Sequence, residues 1–143
     1  MYRVLIPVDP DTDRAIAAAE AVTSLPYADT NVEVIMLSVF TKREIQDLDG
    51  GRVESEDLFE RTDPPTSLTA TAELLEKRGV DVSVRREHGD PAQTIVEIAA
   101  DADVDNIVMG GRKRSPVGKV VFGSVTQNVV LNSSQPVTIV ESK

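Results

Sequence analysis

The chain has no cysteine and no tryptophan, and its 143 residues include one histidine, two tyrosines and three phenylalanines. Zero cysteine excludes a disulfide framework, a thiol nucleophile, a Cys-based zinc site and an iron–sulfur cluster. One histidine excludes a multi-His metal site and argues against a Ser-His-Asp hydrolase. So few aromatics leave nothing to build a base-stacking platform. No apolar run approaches the roughly 18 residues that span a membrane. Met1 to Leu5 reads straight into a strand, with no signal-peptide pattern. The expectation is one cytoplasmic domain over residues 1–143, long enough to bury a core.

Positive charge is also scarce: 15 Lys and Arg against 24 Asp and Glu, a net of −9. This disfavours general binding to nucleic acid or anionic lipid. The charge is unevenly placed. Residues 1–105 carry 10 basic and 23 acidic side chains, and residues 106–143 carry 5 and 1. Between Asp105 and Glu141 there is no carboxylate. That window holds Arg112, Lys113, Arg114 and Lys119 beside Gly110, Gly111, Gly118 and Gly123. A glycine-rich cationic segment in an acidic chain suggests a local anion site; the alternative is a solvated loop that offsets charge elsewhere.

Arg3 to Val8 (RVLIPV) is an apolar run too short for a helix and reads as a buried strand. Asp11, Thr12 and Asp13 offer helix caps, Ala15, Ala18, Ala19 and Val22 repeat at helical spacing, and Pro26 marks the stop. Asn31 to Phe40 is apolar on both faces, as in a central parallel strand. Residues 41–65 are acidic and unpatterned and read as an exposed excursion. Thr66 to Arg78 is a helix with Gly79 after it. Val80 to Glu87 alternates, as an edge strand does. Asp90 and Pro91 start another helix, to about Ala102. Asn106 to Met109 is a strand ending in Gly110-Gly111. Gly123-Ser124 opens the last helix, with Val125, Val129 and Val130 on its stripe and Ser124 a candidate cap. Pro136 to Val140 is the last strand. Strict alternation of strand and helix implies a parallel sheet with helices on both faces.

In such a sheet the ligand site lies beyond the carboxyl ends of the strands, where strand order reverses. Pro7, Val8 and Asp9 end the first strand there, Val39 and Phe40 the second, and Met109 and Gly110 the fourth. The basic loop with Arg112 and Lys113 leaves at this edge and returns at Gly123 and Ser124, a helix start whose free N–H groups suit an anion. Thr126 adds a hydroxyl. Asp9 reads either as a ligand residue or as a turn before Pro10. His88 reads as a turn residue without a catalytic role. The Walker pattern GxxxxGK[ST] is absent, since Gly118-Lys119 is followed by Val120. A phosphoryl-transfer enzyme also needs several placed carboxylates, and Asp9 alone is placed here. Any ATP hydrolysis is expected to be weak and incidental.

Gly110 to Ser124 (GGRKRSPVGKVVFGS) resembles the nucleotide loop of the universal stress protein family: Gly, two residues, Gly, nine residues, Gly, then Ser or Thr. Val4 to Asp9 (VLIPVD), Gly89-Asp90-Pro91-Ala92 with the helix after it, and Pro136-Val137 are similar to that family as well. The resemblance covers nearly the whole chain except 41–65. It implies a Rossmann-like, adenine nucleotide alpha hydrolase-like fold with an open five-stranded parallel sheet of order 3-2-1-4-5. It also implies a stress-response regulatory protein that binds ATP, with any Mg2+ held through the phosphates, and a homodimer formed through the last strand. By position, Asp9 would face the ribose, Val39 the adenine, Met109 and Gly110 the ribose, and Gly123, Ser124, Val125 and Thr126 the phosphates. The second motif glycine falls on Lys113. Either Lys113 takes a positive φ at a cost on the order of 1 kcal/mol and its side chain blocks the pocket, or the chain relaxes and its ammonium joins the phosphates. The first outcome corresponds to a nucleotide-free dimeric interaction module. Five Lys beside ten Arg on an acidic chain also resemble haloarchaeal proteins, whose surfaces suit high salt.

Overall fold

A computed structural model of the protein describes residues 1–40, 65–111 and 123–142. The expected excursion at 41–65, apart from Pro65, and the basic loop with Arg112, Lys113, Arg114 and Lys119 lie outside the described residues.

Five strands form one parallel sheet: β1 (Tyr2–Val8), β2 (Val32–Phe40), β3 (Asp81–His88), β4 (Asn106–Gly111) and β5 (Val137–Glu141). Their spatial order is β3-β2-β1-β4-β5, all neighbours parallel. The helices are α1 (Thr12–Thr23), the single turn α2 (Ala28–Asn31), α3 (Thr66–Lys77), α4 (Pro91–Asp101) and α5 (Ser124–Asn132). This is the Rossmann-like α/β architecture expected from the sequence.

Side chains of a strand alternate between faces, and β1 shows what that does here. Val4 and Ile6 pack with Ala18, Ala19 and Val22 of α1 and Leu68 and Leu75 of α3. Leu5 packs on the other face with Ile95 and Ile98 of α4 and Val129 of α5. Both faces of the central strands are therefore covered, which is why β1 reads as one unbroken apolar run. β3 lies at an edge, and Val84, expected on its apolar stripe, is 48% exposed there. Val130 is likewise 47% exposed, so the stripe of α5 narrows to Val129 and a partly buried Val125.

Asp11 caps α1 by accepting from the Arg14 amide at 3.1 Å, and Asp90 caps α4 by accepting from Gln93 at 3.0 Å. Gly79 follows α3 at φ +78, a left-handed conformation that glycine adopts cheaply. At the amino end of the sheet, where Gly79 also lies, Arg3 Nε meets Glu33 Oε1 at 2.6 Å and the Arg3 amide donates to Asp105 at 2.8 Å. These bonds tie β1 to β2 and to the turn before β4. The Glu33 carboxylate, through its hydrogen bond and its charge, raises the Arg3 pKa further above an already high value.

Three details differ from expectation. α2 was not anticipated, because one turn after Pro26 is too short to show periodicity. β4 does not stop at Met109: Gly110 and Gly111 pair with Val140 and Glu141. Ser124 is not the cap of α5 but its first residue; the cap is Gly123, extended at φ −71 and ψ 167, with no side-chain bond.

Candidate functional site

β1 and β4 run side by side at the point where strand order reverses, and a crevice of about 650 Å³ opens beyond their carboxyl ends. The sequence-predicted residues Pro7, Val8, Asp9, Val39, Met109, Gly110, Gly123, Ser124, Val125 and Thr126 all line it. The predicted Arg112 and Lys113 are outside the described residues. The volume falls within the roughly 300–1,000 Å³ typical of small-molecule sites.

Part of the crevice wall is apolar. Leu37, Val39 and Phe40 come from β2, Pro91 and Ile95 from the start of α4, and Met109 from β4. Phe40 is held in place by contacts on both backbone and ring: its carbonyl accepts from the Gly89 amide at 2.9 Å, and the Arg86 guanidinium lies 4.9 Å from its ring centroid.

Another part offers hydrogen-bond donors. The first residues of α5, Ser124 to Thr126, line the crevice, and their cap residue, Gly123, has no side chain to offer their N–H groups. The first amides of a helix lack intrahelical partners and carry the positive end of its dipole, so they favour an anion. α1 and α4 differ, because Asp11 and Asp90 already occupy the corresponding positions.

Asp9 stands at the lip. Its Oδ1 accepts from the Asp11 amide at 2.8 Å, a turn bond, and its Oδ2 lies 3.5 Å from Arg14 Nη2. Its carbonyl accepts from the Ser67 hydroxyl at 2.6 Å. Ser67 is 1% exposed, so this bond ties the end of β1 to the start of α3 in a dry setting. Asp9 thus serves as a turn residue and is also placed in the crevice wall. His88 ends β3, and it does not line the crevice.

Gly110 has a steric reason for its identity. A Cβ at this position would overlap the Arg14 carbonyl and sit 2.7 Å from Arg14 Cα. Helix α1 crosses β4 so closely that no side chain fits between them.

Phe40, expected at this edge as the end of the second strand, lines the crevice too; Pro10, Arg14, Ala15, Leu37, Ser38, Pro65, Pro91 and Ile95 also line it and were not anticipated. Leu37 and Ser38 carry the same signal as Val39 and Phe40, since all end the second strand. Arg14 had a signal of its own: a cation in the first turn of a helix, against the dipole. Ser67 and Pro65 had none, because their positions depend on where residues 41–64 return to the sheet. Among the described residues no group of three or more His, Cys, Asp or Glu is arranged to hold a metal. Among them also, no helix is long and apolar enough to cross a membrane.

Known proteins are similar to this chain in sequence and in architecture. Universal stress protein MJ0577 of Methanocaldococcus jannaschii is 34% identical over 127 residues, covering 78% of each chain. Its solved structure superposes with a TM-score of 0.76 at 30% identity, over 99% of this chain and 96% of that one. A universal stress protein structure from Archaeoglobus fulgidus gives a TM-score of 0.73 at 28% identity, over 98% of both chains. Another from that organism, solved in complex with dAMP, shares the fold at a TM-score of 0.69 and 23% identity, again over 98% of both chains. Residues 1–141 match the universal stress protein family as a whole, and the chain belongs to that family.

Proposed function

We propose that the protein is a stress-response regulatory protein that binds an adenine nucleotide, ATP among them, in the crevice between β1 and β4. The observation that carries this reading is the crevice itself. The apolar part of its wall suits a flat base, the helix start at Ser124 suits phosphate, and Asp9 in the wall offers an acceptor for ribose hydroxyls. The dAMP complex of the Archaeoglobus fulgidus protein of the same fold is in keeping with it.

The proposed activity is binding without efficient turnover. Asp9 is the one carboxylate among the described residues lining the crevice. Phosphoryl transfer needs a positioned base together with metal-holding carboxylates. Where the nucleotide carries a triphosphate, Mg2+ would be held through the phosphate oxygens. The proposal extends to a cytoplasmic, single-domain homodimer joined through β5. That strand is an edge of the sheet, and Val130 and Leu131 of α5 expose apolar surface at 47% and 71%.

Thermal denaturation with AMP, ADP and ATP, with and without Mg2+, tests the binding. A ligand at 100 times its Kd stabilises the fold by about 2.7 kcal/mol. The titration is run in dilute buffer and in molar KCl, because the acidic, Lys-poor composition is of the kind found in haloarchaeal proteins. A flat melting temperature with millimolar nucleotide in both buffers refutes the reading and favours the nucleotide-free interaction module. Sedimentation equilibrium reads the dimer.

A further inference from the structure

We infer that Arg14 is a specificity residue of the crevice, contacting a phosphate group of the bound ligand directly. The inference rests on the nucleotide reading above and adds a residue to it.

Arg14 lies in the first turn of α1, where a cation opposes the helix dipole. Its backbone passes directly over Gly110, and its side chain lines the crevice. Among the described residues on the crevice wall it is the one cation. Its guanidinium is loosely held. Nη2 is 3.5 Å from Asp9 Oδ2 and Nε is 3.3 Å from Asp11 Oδ2. Charge-assisted bonds close to about 2.7–2.9 Å, so neither contact is a fully formed one. Nε is shielded from solvent and makes no hydrogen bond. A planar fork of donors without good acceptors, on the wall of the crevice that the start of α5 also lines, fits a phosphate bidentately. The neighbouring carboxylates Asp9, Asp11 and Asp13 would otherwise repel such a ligand from this lip. Arg14 therefore supplies the charge that makes a phosphorylated nucleoside preferable to a nucleoside.

Calorimetric titration of the full chain with adenosine and with AMP tests this, on wild type, Arg14→Gln, Arg14→Lys and Asp9→Asn/Arg14→Gln. Wild type is expected to prefer AMP. Arg14→Gln should lose about tenfold or more in AMP affinity, with adenosine affinity held within about twofold. Arg14→Lys should recover part of the loss, and it also gives the comparison if the glutamine variant does not fold. The double variant should stay poor for AMP. Equal weakening of adenosine and AMP in Arg14→Gln, or unchanged AMP binding, overturns the inference. Recovery of AMP binding in the double variant also overturns it, because Arg14 would then act only by neutralising Asp9. Wild type that binds neither ligand overturns the nucleotide reading itself and this inference with it.

Discussion

Replacing Gly110 by alanine measures how tightly α1 is set against the sheet at the crevice floor. The added Cβ would lie 2.7 Å from both Cα and the carbonyl carbon of Arg14, where non-bonded carbons rest at about 3.5–4.0 Å. Relief needs a shift of about 1 Å, and the obstructing atoms are backbone, so no side-chain rotation provides it. The helix that must move buries Ala15, Ala17, Ala18, Ala19 and Val22. Overpacking a well-filled core costs about 1–3 kcal/mol, and a backbone obstruction belongs at the upper end. Gly110→Ala is expected to lose about 3 kcal/mol, a fall in melting temperature on the order of 10 °C for a chain of this size. Gly111→Ala is the internal control. Its Cβ meets Ile139 Cγ2 at 3.0 Å, the end of a side chain that can rotate away, so the expected loss is under about 1 kcal/mol. Urea melts followed by far-UV circular dichroism read both. A Gly110→Ala variant within about 0.5 kcal/mol of wild type, or a Gly111→Ala variant hit equally hard, refutes the steric reading of this contact.

Other substitutions probe separate parts of the structure. Asp11→Ala removes the cap on the Arg14 amide and should cost about 1 kcal/mol in a urea melt. Leu75→Ala empties a fully buried position between α3 and the sheet, with an expected loss of about 2–5 kcal/mol by the same assay. Ser67→Ala strips the buried donor from the Asp9 carbonyl; a loss of about 1–3 kcal/mol is expected, with weaker adenosine binding read by calorimetry.

Much of the fold was legible because its signals are local. The run from Arg3 to Val8, the alanine stripe of α1 and the Asp90-Pro91 start of α4 each specify an element without help from distant residues. The crevice was legible as far as strand ends and a helix start define it, which is why Asp9, Val39, Gly110 and Ser124 could be named together. What escaped depends on the third dimension. Gly110 could be read as a motif glycine, but its contact with Arg14 arises only when α1 folds back over β4. Ser67 sits in an ordinary helical sequence, and nothing local shows that its hydroxyl reaches a carbonyl 58 positions earlier. Val84 fits an alternating strand and is nevertheless exposed, because a place at the sheet edge outranks alternation.

Phe40 and Pro65, the described residues on either side of the interval 41–64, both line the crevice. The chain therefore enters and leaves that interval at the ligand site itself. An insertion, deletion or substitution between these two anchors is delivered to the crevice mouth by the fold, whatever its own sequence. Two relatives with the same sheet and the same strand ends could differ in ligand preference through this one interval.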